Sequence, residues 1–226
     1  MEDVEITWNK FVNTPVALQD DPVVYEVAPG MSFKTVAKEL EKIRIISSAN
    51  FFIILAKIKG GANQMKVGEY ALNRNMTPTE VLRVIVSGKS IERSLTISEG
   101  LSIFEVAEIF EKSGLAKYDE VLHTIRDPEF IQQVLGEKRD SLEGYLFPET
   151  YNFTKFTNYK TILTEMVQKF KNTFQEIEKQ AQVQGFSRHQ VITLASIVEK
   201  ETGAPEERPL ISSVFHRSEE HTSELQ

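Results

Sequence analysis

The sequence of 226 residues contains no cysteine, which excludes disulfides, thiol catalysis and cysteine-ligated zinc or iron–sulfur sites. The absence leaves the compartment open. Its four histidines, at 123, 189, 216 and 221, lack metal-ligand spacing, so neither a metal nor a cofactor is expected. No basic cluster is present and the net charge is -7, which argues against a nucleic-acid partner. The longest apolar run, Phe51–Ala56, is far short of the ~20 residues of a membrane span, and no signal peptide precedes it. As given, the chain reads as soluble. There is no Gly-x-Ser-x-Gly elbow. Gly88-Lys89-Ser90 fails as a phosphate loop because Arg83 stands where that motif needs glycine. The sequons at Asn75 and Asn152 are background for so short a pattern.

What remains is a globular composition, with 41% hydrophobic and 26% charged residues, and a clear α+β pattern. Residues 1–22 read as an N-terminal arm or short helix. Val23–Val27 is a strand candidate closed by Ala28-Pro29-Gly30, and Ser32 caps a helix over Phe33–Lys42. Further helices are predicted from Ser48 to Ile58 and from Thr77 to Gly88, with Lys66–Leu72 alternating like a strand between them. The pattern of Gly30, Ser32, Val36-Ala37 and Leu40–Lys42 recurs at constant offset as Gly100, Ser102, Val106-Ala107 and Phe110–Lys112. Each copy follows a strand candidate, which predicts small α+β modules in series. From Leu115 the chain is mostly helical. Asp127-Pro128 opens a helix ending at Gly136, and Thr161–Val183 is a long amphipathic helix.

Val191–Gly203 is a nearly continuous apolar segment that ends in two carboxylates, Glu199 and Glu201. Ser187 and Gln190 form a capping-box start, and Gly203 with Pro205 a stop. At about 100° per residue, Val191, Leu194, Ala195 and Val198 share one arc, and both acids border it. Apolar neighbours and the negative end of the helix dipole would keep such an acid protonated. That is the state a glycosidic oxygen requires of a proton donor. The bland alternative is a solvated helix end. Between the helices lies Leu142–Phe153, rich in aromatics and carrying Glu143 and Glu149. It suits either a sugar-binding surface or a loop pinned on the core.

The Glu143-Gly-Tyr-Leu-Phe-Pro-Glu-Thr-Tyr151 segment and Leu194–Glu201, followed by Arg208 and Ser212–Phe215, resemble the endolytic murein transglycosylase (MltG/YceG-like) family. Val67–Leu72, Met76–Leu82, Ser87-Gly-Lys89 and Ile97–Ser102 follow the family's order. Val24–Ala37 resembles the start of a LysM module. The resemblance implies a LysM-like domain over 23–92 and a lysozyme-like, mostly helical catalytic domain over 93–216. It also implies a membrane-anchored enzyme of the bacterial envelope acting outside the cytoplasm on peptidoglycan glycan strands, with cell-wall synthesis proteins as further partners. One glutamic acid, corresponding to Glu201, would protonate the leaving oxygen and then deprotonate the muramyl 6-hydroxyl. Glu199 is the alternative, and Glu149, Tyr145, Tyr151 and Glu199 are candidates for binding substrate. The family's anchor is missing from this chain, and the match breaks after His216. Residues 217–226 read as a non-native tail, leaving the catalytic domain incomplete. A non-catalytic glycan-binding protein and a hydrolase pairing Glu201 with a second carboxylate are the competing readings.

Overall fold

The computed structural model describes residues 2–201 and 206–209, with side chains from Thr7 onward. The chain divides into two compact units. One comprises the described residues up to Arg93 together with Asn152–Phe156; the other comprises Ser94–Tyr151 and the described residues from Thr157 on.

The first unit contains α1 (Glu2–Asn13), β1 (Pro22–Val27), α2 (Phe33–Lys42), α3 (Ala49–Ile58), β2 (Gly68–Asn73) and α4 (Pro78–Ser87). The strands β1 and β2 pair antiparallel, with Tyr25 opposite Tyr70. The helix boundaries follow local chemistry. Ser32 and Ser48 accept backbone N–H groups at the starts of α2 and α3, each cap worth ~1 kcal/mol. At α4, Thr77 and Glu80 form a reciprocal capping box, Pro78 occupies the first turn, and Gly88 closes the helix at φ 73°. Val36, Leu40, Phe52, Leu55, Tyr70 and Ile85 are fully enclosed in the core. The segment read as an N-terminal arm or short helix is helical over Glu2–Asn13, and Phe11 of α1 packs 5.4 Å from Phe51.

The second unit begins within β3 (Arg93–Thr96) and contains α5 (Ile103–Lys112), α6 (Tyr118–Ile125), α7 (Pro128–Leu135), the first two residues of β4 (Thr150–Phe153), α8 (Tyr159–Val183) and α9 (Arg188–Glu201). β3 and β4 form the second two-stranded sheet. Val106, Phe110, Val121, Ile131, Leu163 and Met166 fill the core. The helix α6 was covered in the sequence only by a general helical tendency. Not every apolar residue of the amphipathic α8 is covered: Ile177 is 44% exposed.

The sequence repeat is also a repeat of structure. The helices α2 and α5 occupy the same ten positions after a left-handed glycine and a serine cap. After α2 the Ile45 N–H donates to Leu40 O at 2.9 Å; after α5 the Leu115 N–H donates to Phe110 O at 3.2 Å. Two buried tyrosines, Tyr70 in β2 and Tyr151 in β4, each donate to the carbonyl four residues upstream at 2.7 Å. Among the described residues, no helix is long and apolar enough to cross a membrane.

Candidate functional site

The site is built where α9 crosses the Glu143-Gly144-Tyr145 segment. The start of α9 is held by a reciprocal cap: Ser187 N–H donates to Gln190 Oε1 at 2.8 Å, and Gln190 N–H to Ser187 Oγ at 3.3 Å. Arg188 secures the same end on α8, pairing with Glu178 at 3.1 Å and lying over the Phe174 ring. In mid-helix, a Cβ built on Gly144 would come within 2.5 Å of Ile192 Cγ2. Gly144 also has φ +79°, so close approach and left-handed backbone both require glycine there. The loop itself is fastened by Leu142 N–H to Ile125 O at 3.0 Å and Tyr145 N–H to Leu142 O at 3.0 Å. The Tyr145 ring meets Phe170 edge-on at 5.2 Å.

Two cavities flank α9. One, of about 710 Å³, is bordered by Lys138, Glu143, Tyr145, His189, Lys200 and Glu201 among others. The second, of about 700 Å³, is bordered by residues 97–103, Glu143, Pro148, Glu199, Lys200 and Arg208 among others. Glu199 and Glu201, two residues apart, therefore serve opposite flanks, as a rotation of ~200° around a helix requires. Glu199 Oε2 pairs with Arg208 at 2.9 Å, and its Cγ lies 3.8 Å from a Cβ built on Gly100. Glu201 is exposed.

Several expectations change. Both acids were expected beside a buried apolar face, but Val198 is the one buried residue of α9, and Ala195 is exposed. Glu201 stands exposed at the end of α9 rather than enclosed beside that face. Tyr151 does not reach a groove. Its ring is 1% exposed and its hydroxyl is committed to Phe147 O, while burial and the nearby Glu149 and Glu165 carboxylates push its ionisation far up. Glu149 pairs with Lys169 at 2.7 Å. Tyr145 is also buried, yet it borders the Glu201 cavity, with its hydroxyl 3.4 Å from His189 Nδ1; burial foremost raises its ionisation. Glu143, one of the two carboxylates of the aromatic segment, lines the Glu201 cavity together with His189 and Lys200, which the sequence reading did not place in a substrate site. A signal did exist, because His189, Thr193, Ser196 and Lys200 recur at threes and fours along α9. Among the described residues, no cluster of three potential ligands could hold a metal ion.

The model of the YceG-like family matches residues 25–226. The chain belongs to the YceG-like family. An endolytic murein transglycosylase of Bacillus subtilis is 27% identical over 205 residues, 84% of this YceG-like chain and 57% of the relative. Another, from Streptococcus pneumoniae, is 26% identical over 221 residues, covering 86% and 40% respectively. The chain thus spans about half the length of these curated relatives. The crystal structure of a YceG-like protein from Listeria monocytogenes superposes with a TM-score of 0.52 at 27% identity, over 86% of this chain and 69% of that one.

Proposed function

We propose that this YceG-like chain is a peptidoglycan lytic transglycosylase that cuts glycan strands internally, with Glu201 as general acid and then base. The observation that carries the reading is the pairing of motifs: Glu201 at the end of α9 opens into the cavity walled by the Glu143-Gly144-Tyr145 segment. The relatives named endolytic murein transglycosylase support the reaction class. In this reaction the Glu201 carboxyl protonates the glycosidic oxygen, and the bond from C1 to that oxygen breaks. The muramyl 6-hydroxyl oxygen then bonds to C1 and returns its proton to the carboxylate. The nucleophile belongs to the substrate, so one acid/base suffices where ordinary glycosidases need two carboxylates.

On this reading β1 to α4 form the LysM-like module, residues 93–216 the lysozyme-like catalytic domain, and the site works outside the cytoplasm at the cell envelope. Glu199, held by Arg208, has a structural role. Mass spectrometry of glycan strands after incubation with the chain tests the assignment. The wild type is expected to release 1,6-anhydro-muramyl ends. Glu201→Gln should lower the rate at least ~100-fold, the scale of a lost general acid, while Glu199→Gln retains cleavage. Equal loss in both variants sinks the assignment. The exposure of Glu201 favours one second reading, a module that binds strands without cutting them; strand retention with no new ends would establish it.

A further inference from the structure

Glu143 stands apart from the other acids of the second unit. It borders both cavities that flank α9, and it shares one of them with Glu201. One carboxylate oxygen, Oε2, accepts the Ile103 N–H at 3.0 Å. Ile103 is the first residue of α5, so the anion sits at the positive end of that helix. Among the described residues, the other oxygen has no protein partner. The carboxylate is also held in place from its own backbone side. Its N–H donates to Ser141 Oγ at 3.3 Å, and the next residue, Gly144, lies directly under Ile192 of α9. A negative group fixed by a helix start, open on one side and facing the cavity of the proposed acid, is arranged to meet positive charge there.

We infer that Glu143 is a second substrate-facing carboxylate of this site, which stabilises the positive charge developing on the anomeric carbon as the leaving oxygen departs. The inference rests on the proposed transglycosylase reading. It gives the two acids separate tasks: Glu201 moves the proton, and Glu143 makes an electrostatic contact realised mainly in the transition state. Such a contact raises kcat with little effect on KM. The neighbouring Lys200, which borders both cavities, limits where a cationic centre can sit. The open oxygen of Glu143 supplies the opposite sign.

The competing explanation is that Glu143 only caps α5, and the substitutions Glu143→Gln and Glu143→Ala separate the two. The amide oxygen of glutamine can still accept the Ile103 N–H, so the cap survives while the charge is lost; alanine removes both. Wild type and variants are compared for anhydro-muramyl product release from purified glycan strands and for thermal unfolding. The expected result is that Glu143→Gln melts like the wild type, keeps its KM and loses at least ~10-fold in kcat, an electrostatic effect of ordinary size. Wild-type kinetics in Glu143→Gln, with a lowered melting temperature in Glu143→Ala, would overturn the inference and leave a cap. A rise in KM at unchanged kcat would overturn it as well, since that marks uniform binding. If the wild-type chain itself releases no anhydro ends, the transglycosylase reading fails and this inference falls with it. That outcome is distinct from cleavage by wild type and Glu143→Gln alike.

Discussion

Gly30 and Gly100 hold the same place in the two copies of the repeat, at φ +82° and +75°, each two residues ahead of a capping serine. A Cβ on Gly30 would meet nothing within 4 Å, whereas one on Gly100 would stand 3.8 Å from Glu199 Cγ. The helices that follow diverge in the same way. In the second copy the first backbone N–H of α5 is taken by the Glu143 carboxylate, and Ser102 shares a complete capping box with Glu105. In the first copy Ser32 accepts the Thr35 N–H, and position 35 carries a hydroxyl where a box needs a carboxylate. The same local plan is therefore solvated in one unit and turned into the border of a cavity in the other. A repeated turn and helix supply a frame, and what is packed over the frame decides whether it becomes a site.

The largest test of this difference is Gly144→Ala. The added methyl must displace Ile192 and adopt a left-handed backbone, which together cost about 3 kcal/mol. Gly30→Ala has only the backbone cost, about 1 kcal/mol. Urea unfolding midpoints should separate the two, and the Gly144 variant should also lose cleavage as α9 shifts. Similar small losses in both would show that α9 does not rest on Gly144.

A smaller effect lies after the repeated helices, where Arg44 at φ 60° matches Gly114 at φ 74°. Gly114→Ala should lower stability by about 1 kcal/mol, and Arg44→Gly should raise it by up to about 1 kcal/mol. The opposite signs, read from denaturant midpoints at constant m-value, would show that the two turns impose the same backbone. The smallest effect is on acid stability. The backbone N–H of Ser102, and after it the Ser102 hydroxyl, hold the Glu105 carboxyl below the usual range; the Thr77 backbone and hydroxyl do the same for Glu80. A carboxyl lowered in the folded state contributes stability that is present above its unfolded value of ~4.3 and is lost as pH falls through the folded value. Glu105→Gln should flatten that acid limb, and Thr35→Glu should steepen it by completing the missing box. Unfolding free energies measured from pH 6 down to pH 2 check both.

Much of the fold was legible because it is set by short-range chemistry. Ser32, Thr77, Ser102 and Asp127 start helices, and Gly88 and Gly136 end them, where their residue types require. The duplicated turn was visible as duplicated letters. The burial of individual side chains was not. Tyr145 and Tyr151 lie six residues apart in one aromatic segment, yet the hydroxyl of one faces a histidine at a cavity while the other is tied to Phe147 O in the core. The apolar arc of α9 predicted a buried face, but a helix buries only what neighbouring segments cover.

The amino-acid order was enough to specify the α+β class, the helix ends, the repeat and the placing of Glu199 and Glu201 on opposite flanks of one helix. Each depends on hydrogen bonds and periodicities that act within a turn or two of chain. Only the tertiary structure decided that Glu143 shares a cavity with Glu201, that Glu149 is engaged by Lys169, and that Gly144 carries α9. Those contacts join segments far apart along the chain, and close packing between such segments selects a partner by shape that no local pattern records.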